Sequence, residues 1–245
     1  MGIFRKRGYH VLAYDHCRHG GSGGSNTTFG FYEKDDLNAC VDWLLERVGQ
    51  YCKIGVFGES MGASIALQHA AIDKRAAFYI ADCPYSDLTA ELIYRLRKDW
   101  WLPPFPLLHI TRLFAQVRGG FQFHLVSPIR DMGEIETPIL FIHGKEDKDI
   151  PMEMTLELYR AKQGPKQLYL VPGADHAQSL RTNPHTYDRI VGEFLEELVF
   201  ATTETETSNS EETASQEFTN QNEPLDTSSF EDGFHNDELA QPWTP

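Results

Sequence analysis

Apolar residues along this chain fall into two alternating rhythms. Short unbroken runs such as His10-Val11-Leu12-Ala13-Tyr14 and Lys53-Ile54-Gly55-Val56-Phe57 end at aspartate or glycine, and each predicts a buried strand followed by a loop. Ala76 to Ala81, Thr137 to Ile142 and Gln167 to Val171 read the same way. Between these runs the spacing changes. Leu37, Val41, Leu44, Leu45 and Val48 share one face of a helix over Glu33 to Val48, and the small-residue stretch Met61 to Ala71 predicts another. Near the end, Asn183 can cap a helix and Pro184 suits its first position. Tyr187, Ile190, Val191, Phe194, Leu195 and Leu198 form its apolar face. Strands alternating with helices predict an α/β fold, a mostly parallel sheet with helices on both faces. Strands covered on both sides are expected to be apolar throughout, as these are.

Two stretches break the alternation. Leu88 to Val126 holds no strand pattern but many aromatics, Trp100 and Trp101 among them, and predicts a helical insertion interrupted at Pro103-Pro104 and Pro106. From Ala201 onward the chain turns to Thr, Ser, Glu and Asn, a composition expected to stay disordered. The expected organisation is one domain over residues 1–200, with the insertion at about 88–126, and an acidic tail over 201–245.

Charge sharpens this division. The whole chain has 36 acidic and 22 basic residues, but 11 of the acids and none of the bases lie beyond Phe200. The body is therefore close to neutral, and the tail would repel phosphates, which argues against a nucleic-acid partner. No apolar run approaches the ~20 residues that span a bilayer, and the first residues hold neither a signal peptide nor a myristoylation pattern. Cys17, Cys40, Cys52 and Cys83 show no C-x-x-C spacing, so zinc is not expected. They read as reduced thiols of a cytoplasmic protein, with Cys40 and Cys52 expected in the core.

The chemistry lies at three points. Gly58-Glu59-Ser60-Met61-Gly62 is a G-x-S-x-G pentapeptide between a predicted strand and a predicted helix, the setting of a nucleophile elbow. Glycines on either side allow the tight turn, and the helix start offers the Met61 N–H to an oxyanion. A serine hydroxyl needs a base. His176 follows the last predicted strand in Val171-Pro172-Gly173-Ala174-Asp175-His176. A carboxylate to orient it is available after the preceding strand, in His143-Gly144-Lys145-Glu146-Asp147-Lys148-Asp149-Ile150-Pro151. Asp175 adjoins the base in sequence, but neighbouring side chains point apart. His143 is expected to end its strand and pack.

With these motifs in place the chain resembles an α/β-hydrolase of the serine-aminopeptidase-like group. Asp15-His16-Cys17-Arg18-His19-Gly20-Gly21-Ser22-Gly23 is similar to that group's D-x-x-R-x-G-x-S-G loop, and the elbow, acid loop and histidine loop match in the order Ser, acid, His. The resemblance implies Ser60 as nucleophile, His176 as base, Asp147 as acid with Glu146 and Asp149 as alternatives, Met61 N–H as oxyanion donor, and a cap at the aromatic insertion. It implies hydrolysis of an ester or amide of a small or peptide-like substrate, with no metal or organic cofactor. Trp100 and Trp101 are candidate substrate contacts. The resemblance also implies three strands ahead of His10 to Tyr14 and a His-Gly loop donating a second oxyanion N–H. Neither precedes the first predicted strand, so the sequence reads as an N-terminally truncated hydrolase, active or a weakly active remnant. The His10 strand would then either close against the Lys53 strand or leave backbone groups unpaired.

Overall fold

Four of the five predicted strands form one parallel sheet. The computed structural model describes residues 2–49 and 51–200. The acidic segment expected to be disordered, and the side chain of Leu198, lie outside the described residues. In chain order the principal elements are α1 (Gly2–Arg5), α2 (Glu33–Val48), β1 (Ile54–Glu59), α3 (Met61–Ile72), β2 (Ala76–Asp82), α4 (Leu88–Trp100), α5 (Pro104–Gly119), α6 (Pro128–Asp131), β3 (Ile139–Gly144), α7 (Met152–Ala161), β4 (Lys166–Val171), α8 (Ser179–Thr182) and α9 (Pro184–Phe194). The sheet order is β1-β2-β3-β4, every pair parallel.

Side-chain alternation along the strands divides the core between the two faces of the sheet. Tyr79, Ala81, Ile139 and Phe141 meet Leu37 and Val41 of α2 and Ala63, Ala66 and Leu67 of α3. Phe78, Ile80, Leu140 and Ile142 meet Phe4 of α1 and Tyr187, Val191 and Phe194 of α9. The large side chains among these are almost fully enclosed. Each such burial is worth about 1.5–3 kcal/mol. The start of α9 matches its sequence signal: the Asn183 side chain accepts the Thr186 N–H, and Pro184 occupies the first turn.

The insertion is helical, as its pattern predicts. α4 stops at Trp101, which takes a left-handed conformation, and α5 begins after Pro103 with a kink at Phe105. Leu88, Phe121, Phe123 and Val126 anchor it on Tyr85, Ile150 and Met154.

Two expectations are corrected. His10 to Tyr14 is not a strand. A cavity of about 600 Å³ lies between Tyr9 to Leu12 on one side and Ile54 to Phe57 on the other, and Val11 and Leu12 are partly exposed to solvent. A ladder needs backbones about 4.8 Å apart, and here the two segments face each other across the cavity. The His10 segment does not close against β1 as a strand, and β1 is an edge strand among the described residues. Cys52 is exposed rather than in the core, and Cys40 is half-buried; Cys83 is the buried cysteine.

β2 ends in Asp82, a buried carboxyl that accepts hydrogen bonds from Ser179 Oγ at 2.9 Å and Tyr187 Oη at 3.1 Å. These bonds tie the sheet to α8 and α9. Burial pushes the carboxyl up from 3.8 to about 6. Folding therefore favours the protonated acid, so its contribution is most favourable at low pH and is lost as pH rises through about 6, a swing of about 3 kcal/mol. Asp82→Asn should raise the melting temperature relative to the parent at about pH 8 and much less at about pH 5. Equal shifts at both would show that Asp82 does not titrate in this range.

Candidate active site

The turn between β1 and α3 places Ser60 at φ 56°, ψ −121°, a conformation L-residues rarely adopt. Such strain costs on the order of 1–3 kcal/mol and persists only where the surroundings hold it. Here the Ser60 N–H is held by the Asp82 carbonyl at 2.8 Å. Gly58 is required sterically: a Cβ there would lie 2.2 Å from the Gly62 carbonyl oxygen. Gly62 is not, since a Cβ at that position meets nothing within 4 Å. Only one of the two flanking glycines is thus demanded by local contacts among the described residues. Met61 opens α3, so its N–H belongs to the unsatisfied first turn of that helix.

His176 comes from the loop after β4. Its Nε2 is 2.8 Å from Ser60 Oγ, and its Nδ1 is 2.8 Å from Asp147 Oδ2. A carboxylate only accepts, so Nδ1 carries the proton and Nε2 is free to accept from the serine hydroxyl. Asp147 sits in the loop after β3. Its Oδ1 accepts the N–H groups of Asp149 and Ile150, at 2.8 and 2.9 Å. The three side chains named from sequence therefore meet at the C-terminal ends of β1, β3 and β4. The alternative acids lie elsewhere: Glu146 is exposed, and Asp149 pairs with Arg95 of α4 at 2.6 Å. Asp175 serves its loop, accepting the N–H of His176 and of Lys148.

His143 does more than pack. It ends β3 fully buried, with Nε2 at 3.0 Å from the Ile150 carbonyl and 3.2 Å from Asp147 Oδ2. With Nε2 donating, Nδ1 accepts from Thr155 Oγ1 at 2.6 Å. The single Nε2–H bonds the Ile150 carbonyl and stands beside the Asp147 carboxylate, so a second imidazole faces the carboxylate that accepts from His176. The sequence signal for it was the four-residue spacing from His143 to Asp147 across a turn. Burial alone would raise the Asp147 carboxyl, but its contacts with His143, with His176 and with the Ile150 N–H outweigh it and hold the group well below the usual range. The hydrogen bond to Asp147 raises His176 above 6.5.

Two further residues border the site. The buried Cys83 thiol lies within 4.8 Å of ligand atoms of Asp147 and His176. Burial pushes it up, so it stands beside these side chains as a neutral thiol. Glu91 of α4 is buried and within electrostatic reach of Asp147 and His176, and burial pushes it up to about 7. The cap reaches the elbow itself: Met61, Phe31, Leu92 and Leu108 pack on the cap cluster. Arg95 to Asp149 and Tyr94 Oη to the Lys148 carbonyl fasten α4 to the acid loop.

Trp100 and Trp101, the candidate substrate contacts, are turned to solvent. They are 69% and 90% exposed at the far end of α4. The Asp15 loop is folded by its own contacts: the Asp15 carboxylate accepts the Gly21 N–H, and Ser22 Oγ donates to the Asp15 carbonyl. His19 Nδ1 lies 3.0 Å from the Cys17 carbonyl.

Residues 2–107 match the family described as X-Pro dipeptidyl-peptidase (S15 family). The chain is 47% identical over 200 residues to the uncharacterized protein YqkD of Bacillus subtilis, covering 81% of this chain and 66% of that one. It is 25% identical over 188 residues to human protein ABHD12B, covering 69% and 48%. The esterase Pf2001 of Pyrococcus furiosus superposes with a TM-score of 0.64 at 29% identity, over 79% of this chain and 73% of that one. The chain spans between about half and two thirds of these two curated relatives. With a parallel sheet, a strained serine between β1 and α3 and a helical insertion between β2 and β3, this chain has the fold of the α/β-hydrolases.

Proposed function

We propose that this chain is a serine hydrolase that cleaves a carboxylic ester, or an amide, through Ser60, His176 and Asp147. The observation that carries the reading is the unbroken relay from Ser60 Oγ through His176 to Asp147, both links 2.8 Å long. As His176 Nε2 takes the hydroxyl proton, Ser60 Oγ attacks the carbonyl carbon, and Asp147 stabilises the imidazolium. The Met61 N–H donates to the developing oxyanion. Collapse expels the alcohol or amine, which takes the proton back from Nε2. Water then repeats the sequence on the acyl-enzyme and frees the acid. The partly buried Phe31, Met61, Leu92 and Leu108 beside the elbow favour an apolar acyl chain of small to medium length. The esterase likeness supports the ester over the amide, and the S15 match supports a peptide-like alternative.

A second reading is a hydrolase of low turnover. The edge position of β1 among the described residues, with the strained serine at its end, is the observation that favours it. Labelling with a fluorophosphonate probe, alongside p-nitrophenyl butyrate hydrolysis, separates the two. Labelling that Ser60→Ala abolishes, with hydrolysis far above that variant, supports the first reading. Labelling with hydrolysis near the Ser60→Ala level supports the second, and labelling retained in Ser60→Ala refutes both.

A further inference from the structure

α5 buries none of its side chains fully, and one of its faces is apolar and turned outward. Ile110, Leu113, Phe114 and Val117 are 49%, 61%, 66% and 78% exposed, and their spacing of three and four residues sets them along one stripe. Trp100, Trp101 and Phe105 add three largely exposed rings at the corner where α4 turns into α5. Scattered exposed apolar residues are ordinary, but a contiguous stripe of this size marks an interaction surface.

The charges around the stripe identify what it meets. α5 contains no Asp or Glu, and its Arg112 and Arg118 are exposed, as are Arg97 and Lys98 at the end of α4. In the last turn of α4 the acid Asp99 is paired with Arg95 at 2.7 Å. Aromatic and aliphatic side chains bordered by cations are the pattern of a helix lying in a bilayer interface, where Trp and Phe enter the headgroup boundary and Arg meets anionic lipid. A second copy of the chain fits less well. A two-fold contact through this stripe would bring Arg112 and Arg118 towards their own counterparts, and like charges across an interface are penalised. No helix among the described residues is long and apolar enough to cross a membrane, so the contact is with the surface.

We propose that the α4–α5 corner of the cap is a docking surface for an anionic phospholipid bilayer. α4 is fastened to the acid loop by Arg95 and Tyr94, so docking would hold the cap side of the active site against the membrane. The proposal concerns binding and stands apart from the hydrolase reading: Ser60→Ala must bind as the parent does.

Co-sedimentation of the full chain with vesicles tests it, using phosphatidylcholine alone and phosphatidylcholine with phosphatidylglycerol in equal parts. The expected result is binding that is stronger on the anionic vesicles, weakens with added salt, and shifts tryptophan emission to the blue. Ile110→Ser/Phe114→Ser/Val117→Ser should weaken partitioning by about ten-fold or more. Its fluorophosphonate labelling or circular dichroism should match the parent, which shows that it is folded. Arg112→Glu/Arg118→Glu should remove the preference for anionic lipid. Three results would overturn the proposal: a parent that stays in solution with both vesicles, a triple variant that binds as the parent does, or a parent dimer that the triple variant converts to a monomer without any vesicle binding.

Discussion

Replacing Ser60 with alanine is expected to lower kcat for p-nitrophenyl butyrate by about 10⁵–10⁶-fold and to leave KM within a small factor. In the proposed reaction the hydroxyl forms the acyl bond, and no other group in the relay can replace it. Cys83, the nearby thiol, is buried and kept neutral by that burial, so it offers no rescue. His176→Ala should cost nearly as much, because an unassisted serine hydroxyl is a weak nucleophile at neutral pH. The two changes act on one step, so Ser60→Ala/His176→Ala should be no slower than either single variant by more than a few-fold. A His176→Ala variant within about ten-fold of the parent would remove His176 as the base. Steady-state kinetics on the three variants, with circular dichroism to check folding, is sufficient.

The parts legible in sequence are those where a local rule and the tertiary fold agree. Lys53 to Phe57 reads as a strand and Ile54–Glu59 is one, because β2 lies alongside to complete its ladder on one side. His10 to Tyr14 has an equally apolar pattern and is not a strand, because strand formation requires a neighbouring backbone and a pattern carries no information about neighbours. Ser60, Asp147 and His176 could be named because each lies in a short loop whose residue types are fixed by its geometry. His143 was legible only as a strand end. Its place beside Asp147 depends on how the acid loop folds back over β3, which the Asp149 and Ile150 N–H groups decide by capturing Asp147 Oδ1. Trp100 and Trp101 show the opposite error. Large aromatics in a cap suggest a pocket, yet the kink at Phe105 and the left-handed turn at Trp101 send both rings into solvent. Burial of an aromatic is the usual outcome, and its failure here is what makes the cap surface informative.

Asp147→Asn should lower kcat by about 10⁴-fold and move the acidic limb of the rate profile to lower pH. The base acts only when His176 is neutral. Its hydrogen bond to Asp147 raises it above 6.5, so in the parent activity is lost as pH falls through that raised value. An asparagine carries no charge to stabilise the imidazolium, so the imidazole loses its proton at lower pH and the limb follows. The rate nevertheless falls, because an amide can offer an N–H to Nδ1 and so favour the tautomer that places the proton on Nε2, facing the serine. Asp149→Asn separates orientation from proximity. It breaks the Arg95 contact and leaves the relay intact, and the Asp149 charge ranks below the Asp147 contact in raising His176, so its limb should move to lower pH by far less than that of Asp147→Asn, with kcat within a few-fold. A profile of kcat/KM against pH for the parent, Asp147→Asn and Asp149→Asn reads the ionisation of the free base in each. An Asp149→Asn limb displaced as far as that of Asp147→Asn would transfer the orienting role from the residue that touches His176 to one that touches the cap.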